Sequence, residues 1–179
     1  AMQHMDKYED RKAKLDAALA NLGWRQRGLG WHHPDPGRHI VFLGDFIDRG
    51  PDNRAVLTTV RSLIDAGRAR AIMGNHELNA LHFHTRDPQD GQPLRPHTAK
   101  NIRQHQSFLT EFPPGERQTL AALDWMRGLP LYLDMGDFRA VHACWAADGI
   151  RRLESLTGNG ILSEDQLIRA AGRAAGDEM

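Results

Sequence analysis

Two short apolar runs, each stopped by a glycine and followed by chemically capable polar residues, constrain this chain more than any other feature. Ile40-Val41-Phe42-Leu43 leads into Gly44-Asp45-Phe46-Ile47-Asp48-Arg49-Gly50, and Ala69 to Met73 leads into Gly74-Asn75-His76-Glu77. Apolar residues running together without alternation predict short buried strands, here His39 to Leu43 and Ala69 to Met73. Between them, Pro51 is suited to the first turn of a helix, Val56, Val60, Leu63 and Ile64 form an inward stripe, and Gly67 ends it. Strand, loop, helix, strand, loop predicts a parallel α/β unit with a right-handed crossover. Ligands in such sheets collect at the carboxyl ends of the strands, so the loops at Asp45 and Asn75 are expected side by side.

The flanking segments add helices and hairpins. Leu15, Ala18, Leu19 and Leu22 give Asp6 to Leu22 one apolar helical face, stopped by Gly23. Gly28 to Gly37 is a loop or hairpin connection. Asn75 to Phe83 predicts a short helix, and Thr85 to Pro96 a polar, proline-broken loop of the kind that borders substrate sites. Ala99 to Phe112 and Glu116 to Arg127 are helical by period, with Ile102, Phe108 and Leu109, or Leu120, Leu123 and Met126, facing inward. Leu129 to Met135 and Phe138 to Ala143 flank Gly136-Asp137 as a hairpin. Ser163-Glu164-Asp165-Gln166 is a capping box opening a last helix.

At 179 residues the chain suits one globular domain, assigned to 6–179, with the tag-like Ala1-Met2-Gln3-His4-Met5 set aside. Lys+Arg and Asp+Glu balance at 23 each, so no net field draws the protein to nucleic acid or an anionic membrane. Arg95, His97, Lys100, Arg103 and His105 would be the residues of a nucleic-acid surface, but they fit a solvated helix face equally well. A single cysteine, Cys144, and no long apolar run predict a reduced, cytoplasmic protein that is not membrane-embedded.

The two loops supply a definite chemistry. A carboxylate at a strand end, Asp45, is able to bridge cations that polarise a phosphate ester and activate water. Asp48 is placed to orient a neighbouring histidine. Arg49 offers a planar fork for two phosphate oxygens. Asn75 is a hard oxygen ligand, His76 a proton donor to a leaving alkoxide, and His142, at the end of its own strand, an imidazole ligand.

In this order and spacing, Gly44 to Gly50, Gly74 to Glu77 and Val141-His142-Ala143 resemble the calcineurin-like metallophosphoesterases, in the branch of bacterial Ser/Thr protein phosphatases and symmetrical diadenosine tetraphosphatases. The resemblance implies an α/β fold, a β-sandwich flanked by helices, and a dimetal centre of manganese, iron or zinc hydrolysing a phosphoester or phosphoanhydride with metal-activated water. It implies that Asp45 bridges the metals, Asn75 and His142 bind the second one, Arg49 and Asn75 hold phosphate, and Asp48 with His76 forms the acid pair. The substrate is then a phosphorylated small molecule, nucleotide or phosphoprotein.

Two pieces of the family pattern are not found. No Asp-x-His-Gly precedes the first helix, where Lys7 and Glu9 stand roughly in the places of its ligands, and no histidine follows His142. The expectation is therefore a sandwich incomplete at both ends, a single metal completed by water, and impaired activity. Glu9 and Asp10 read as first-turn helix acids, with substitute oxygen ligands as the alternative. A missing central strand also suggests homo-oligomers formed by strand exchange. The competing expectation is an inert domain that keeps a phosphate- or partner-binding surface around Arg49 and the Thr85 to Pro96 loop.

Overall fold

The computed structural model describes residues 10–28 and 30–172. Lys7, Glu9 and the tag-like residues lie outside them. The first helix, α1 (Arg11–Asn21), starts at Asp10, whose carboxylate accepts the Ala13 N–H at 2.9 Å. Asp10 is thus a helix cap in this fold. Gly23, at φ 86°, turns the chain out of the helix as expected. The predicted apolar stripe holds only in part, because Leu19 is buried while Leu22 is 64% exposed.

Strands β1 (Arg25–Arg27) and β2 (Gly30–His32) pair as an antiparallel hairpin. Trp24 and Trp31 pack there with Leu19, Leu63 and Ala69 as a small second core. Strand β3 (Ile40–Phe42), helix α2 (Asn53–Asp65) and strand β4 (Ala69–Ala71) form the unit read from the sequence, β3 and β4 pairing in parallel with Ile40 opposite Ala69. Val56, Val60 and Leu63 are buried on the inner side of α2.

The start of α2 differs from the prediction. Pro51 lies outside the helix, and the residue at the cap position, Asp52, is left-handed at φ 65° with no capping bond of its own. Glu111 caps the helix from a distance: its carboxylate accepts the Asn53 N–H at 2.8 Å, the Arg54 N–H at 2.8 Å and the Asn53 Nδ2–H at 2.6 Å. Glu111→Ala is expected to lower stability by about 1–2 kcal/mol, the range for losing a helix cap. Thermal unfolding checks it, and an unchanged midpoint would show that water replaces the carboxylate.

Helix α3 (Asn75–His84) follows directly from the second motif loop; α5 (Arg117–Arg127) packs against it, and α4 (Ala99–Glu111) against α2. The main core joins Ile47, Val60, Leu81, Phe108, Met126 and Leu167. Phe108, Leu123 and Met126 are buried as expected, whereas Ile102 and Leu120 turn outward, 36% and 53% exposed. On α4 the buried line is His105 and Phe108, continued by Phe112 after the helix.

Strands β5 (Tyr132–Asp134) and β6 (Arg139–Val141) form the predicted hairpin, with Gly136 at φ 82° in the turn. The Met73 N–H donates to the Pro130 carbonyl at 2.8 Å, joining the end of β4 to the approach of β5. Helix α6 (Ala147–Thr157) was not foreseen, and α7 (Glu164–Ala170) opens on the expected capping box at Ser163 and Gln166. The described strands make three two-stranded ladders instead of two facing sheets. Each strand is three residues long. The fold is mixed α/β, and no described helix is long and apolar enough to cross a membrane.

Candidate active site

After β3 the chain enters a loop in which Gly44 (φ 88°), Asp45 (61°), Asp48 (65°), Arg49 (54°) and Asp52 (65°) are all left-handed. Non-glycine residues there cost on the order of 1 kcal/mol or more each, so the surroundings must hold them. Three side chains do so. Arg11 donates from α1 to the carbonyls of Asp45 and, at 3.1 Å, Ile47. Asn53 accepts the Asp48 N–H at 2.7 Å and donates to the Gly50 carbonyl at 3.2 Å.

The third is Glu77, which is fully buried. Its Oε2 accepts the N–H groups of Asp45 at 2.8 Å and Gly74 at 3.0 Å, and its Oε1 that of Phe46 at 2.7 Å. One carboxylate thereby fastens the two motif loops together. Burial pushes its pKa up, and the three N–H bonds pull against that rise. The loops also cross backbone to backbone. A Cβ on Gly44 would lie 2.3 Å from the Gly74 nitrogen, and one on Gly74 would lie 2.4 Å from the Asp45 nitrogen. Both glycines are required by this crossing.

The crossing brings Asp45, Asn75 and His142 together. His142 Nδ1–H donates to the Leu43 carbonyl, which leaves a lone pair on Nε2 of the neutral ring. That Nε2 lies 3.1 Å from Asn75 Oδ1 and 3.5 Å from Asp45 Oδ1, both acceptors as well. Acceptors turned toward one another favour a cation among them. The 3.1 Å spacing falls within the roughly 3.0–3.4 Å edges of a coordination shell with ligand distances of about 2.1 Å, and the 3.5 Å one lies just beyond them. The trio suits one divalent ion by its mixture of carboxylate, amide and imidazole. Asp45 is its only anion, and among the described residues no group of three His, Cys, Asp or Glu side chains is placed to hold a metal.

Beside it stands a second cluster centred on Asp48, 3% exposed. Its Oδ2 meets His76 Nδ1 at 2.9 Å and its Oδ1 meets His105 Nδ1 at 3.0 Å. Burial alone would raise the Asp48 pKa, but the hydrogen bonds from His105 and His76, with their attraction for the anion, bring it below the usual carboxylate value. An ionised carboxylate only accepts, so both Nδ1 atoms carry protons. His76 Nε2 is buried without a hydrogen-bond partner among the described residues. His76 lines a cavity of about 940 Å³ together with Arg49, Asn75, Phe83, Arg103 and Gln104. Arg49 and Arg103 have no hydrogen-bond or ion-pair partner among the described residues.

The six residues singled out from the sequence therefore fall into two adjoining groups, Asp45, Asn75 and His142 in one and Asp48 and His76 in the other, with Arg49 exposed on the cavity wall. Two residues were missed. Glu77 was part of the motif but had no assigned role, and no local signal distinguishes a buried staple from a first-turn acid. His105 was placed on a solvated helix face, yet it is 5% exposed. Its spacing of three from Phe108, on which its ring stacks at 4.8 Å, is the signal that marked it as inward.

Comparison with known proteins agrees with this architecture. The model of the calcineurin-like phosphoesterase family matches residues 6–170. The symmetrical bis(5'-nucleosyl)-tetraphosphatase of Janthinobacterium sp. (strain Marseille) is 34% identical over 109 residues, covering 60% of this chain and 34% of that protein. Its counterpart in Shewanella baltica (strain OS223) is 28% identical over 140 residues, 74% and 45% of the two chains. The asymmetrical bis(5'-nucleosyl)-tetraphosphatase PrpE of Geobacillus thermodenitrificans (strain NG80-2) is 32% identical over 128 residues, 68% and 48%. This chain thus spans less than half the length of these relatives. With the family model matched over nearly all of its described length, the chain belongs to the calcineurin-like phosphoesterase family.

Proposed function

We propose that this protein is a divalent-metal-dependent hydrolase of phosphoanhydrides or phosphoesters, acting in the cytoplasm, with dinucleoside polyphosphates as its substrate class. The observation that carries this reading is the convergence of three acceptor atoms, from Asp45, Asn75 and His142, next to a buried histidine whose Nε2 has no partner among the described residues. The substrate class is taken from the relatives, which are named as tetraphosphatases of both symmetrical and asymmetrical type.

Asp45, Asn75 and His142 would hold the ion, and their mostly oxygen donor set suits manganese well, with iron or zinc as alternatives. When bound, the ion supplies charge to polarise a phosphoryl oxygen and to activate water. Arg49, without a partner among the described residues, holds phosphate oxygens through its fork, and Asn75 contributes its amide. His76, oriented by Asp48 through Nδ1–H, delivers a proton from Nε2 to the departing oxygen when its ring carries a proton on both nitrogens.

The test combines turnover and binding. The protein with manganese is expected to hydrolyse diadenosine tetraphosphate or an aryl phosphate, to stop on chelation, and to take up manganese in calorimetry. Asp45→Asn removes the only anionic donor and is expected to abolish saturable uptake. A second reading, an inert domain that retains a phosphate-binding surface, is favoured by the single anion in the trio. No turnover with manganese, iron or zinc, together with no uptake of any of them, would establish that reading instead.

A further inference from the structure

We propose that His105 is a positioning residue for the hydrolysis, holding the Asp48 carboxylate in the one orientation that presents its other oxygen to His76. This rests on the phosphoesterase reading for its kinetic consequence and on the Asp48 geometry for its structural one.

A carboxylate bound at one oxygen keeps freedom to rotate about its side-chain bonds. Asp48 is bound at both, by N–H donors from opposite sides: His76 on α3 and His105 on α4, at 2.9 and 3.0 Å. The two bonds fix the carboxylate plane. Loss of His105 would leave Oδ1 as a buried acceptor without a partner, a penalty of roughly 1–3 kcal/mol. The carboxylate would then relieve it by rotating or admitting water, and the Nδ1 bond to His76 would be the one disturbed.

His105 is itself held on three sides. Its ring stacks on Phe108 at 4.8 Å and tilts against Phe83 at 5.0 Å, and its Nε2 lies 3.3 Å from His84 Nε2. Burial, with the neighbouring His105 and His97, lowers the His84 pKa to about 4, so His84 is neutral near pH 7. A single proton arrangement then satisfies the row with the rings neutral. His84 Nε2–H donates to His105 Nε2, His105 Nδ1–H donates to Asp48 Oδ1, and His76 Nδ1–H donates to Asp48 Oδ2. His76 Nε2 is the end of that row, a buried nitrogen without a partner among the described residues. The same α4 helix places Arg103 and Gln104 on the cavity wall, so its seating links the substrate surface to the proton donor.

The test uses His105→Ala, His105→Asn and His105→Gln in the full chain. An asparagine amide nitrogen takes the place of Nδ1 and keeps the bond to Asp48, whereas a glutamine side chain reaches the place of Nε2, where its amide oxygen accepts from His84, and keeps only that contact. Turnover is compared on p-nitrophenyl phosphate, whose leaving group needs little protonation, and on an alkyl phosphate, whose leaving group needs it. Alanine and glutamine are expected to lower kcat on the alkyl substrate by about 10-fold or more, a fraction of what a general acid contributes. KM and the aryl rate should change little, and asparagine should restore most of the loss. Equal losses on both substrates, or no difference between asparagine and glutamine, would overturn the proposal. If alanine fails to fold, the asparagine and glutamine pair still decides.

A second readout needs no turnover. Nitrogen NMR of the imidazoles at about pH 8, where model histidines are neutral, is expected to find His76 as its Nδ1–H tautomer in the wild type and the asparagine variant, and as a mixture in the glutamine variant. A pure Nδ1–H tautomer in all of them would refute the positioning role. An inactive wild type with the expected tautomer pattern would instead count against the phosphoesterase reading alone.

Discussion

Glu77→Ala is expected to lower the unfolding free energy by about 3–5 kcal/mol, the largest stability effect of any single side chain in the site. The estimate follows from what the carboxylate satisfies. Three backbone N–H groups, of Asp45, Phe46 and Gly74, end on its two oxygens, and the side chain is fully buried. Alanine leaves all three donors without an acceptor at a place where Gly44 and Gly74 already touch, and a buried orphan donor costs about 1–3 kcal/mol. The left-handed residues Asp45 and Asp48 also lose part of what holds them.

Glu77→Gln separates this cause from simple loss of volume. With its oxygen at the Oε2 position, glutamine keeps the bonds from Asp45 and Gly74 and sets its NH₂ against the Phe46 N–H. It should cost about 1–3 kcal/mol, less than alanine but well above a neutral surface change. Urea unfolding with an unchanged slope measures both. If glutamine were as stable as wild type, the three N–H bonds would not be what holds the crossing.

The reason one residue matters so much also explains which features were legible in the sequence. The β3-α2-β4 unit was legible because its signals are local: apolar runs at Ile40 and Ala69, a helical stripe through Val56 and Val60, and glycines where the chain turns. The pairing of the loops followed from that topology. What the Glu77 carboxylate does depends on donors at Asp45 and Phe46, 32 and 31 residues away, and no local pattern reports them. His105 has the same difficulty, since its partner Asp48 is 57 residues distant. Helix α6 gave no start signal, because its cap position is Ala146 and no side chain bonds the first turn. The inner faces of α4 and α5 were misjudged at Ile102 and Leu120 because periodicity alone cannot choose between neighbouring stripes, and the polar His105 occupies a place that an apolar count skips.

His76→Ala is the variant expected to cost most in rate, about 100-fold to 10,000-fold in kcat on a substrate with a poor leaving group, the range for removing a general acid. The geometry gives the direction of every part of that result. The ring contributes no atom to the Asp45, Asn75 and His142 trio, so manganese uptake should persist; only its backbone N–H reaches Asp45, at 3.2 Å, and alanine retains it. Asp48 keeps its bond from His105 but its Oδ2 loses its partner, so the fold should lose roughly 1–3 kcal/mol besides the packing of one ring. Arg49 is untouched, so KM should hold. On p-nitrophenyl phosphate the departing oxygen is stable without a proton, and the rate should fall far less. A loss of equal size on both substrates, with a higher KM, would assign His76 to binding phosphate instead of donating a proton, and its Nε2 would then be a contact for the substrate's non-bridging oxygen.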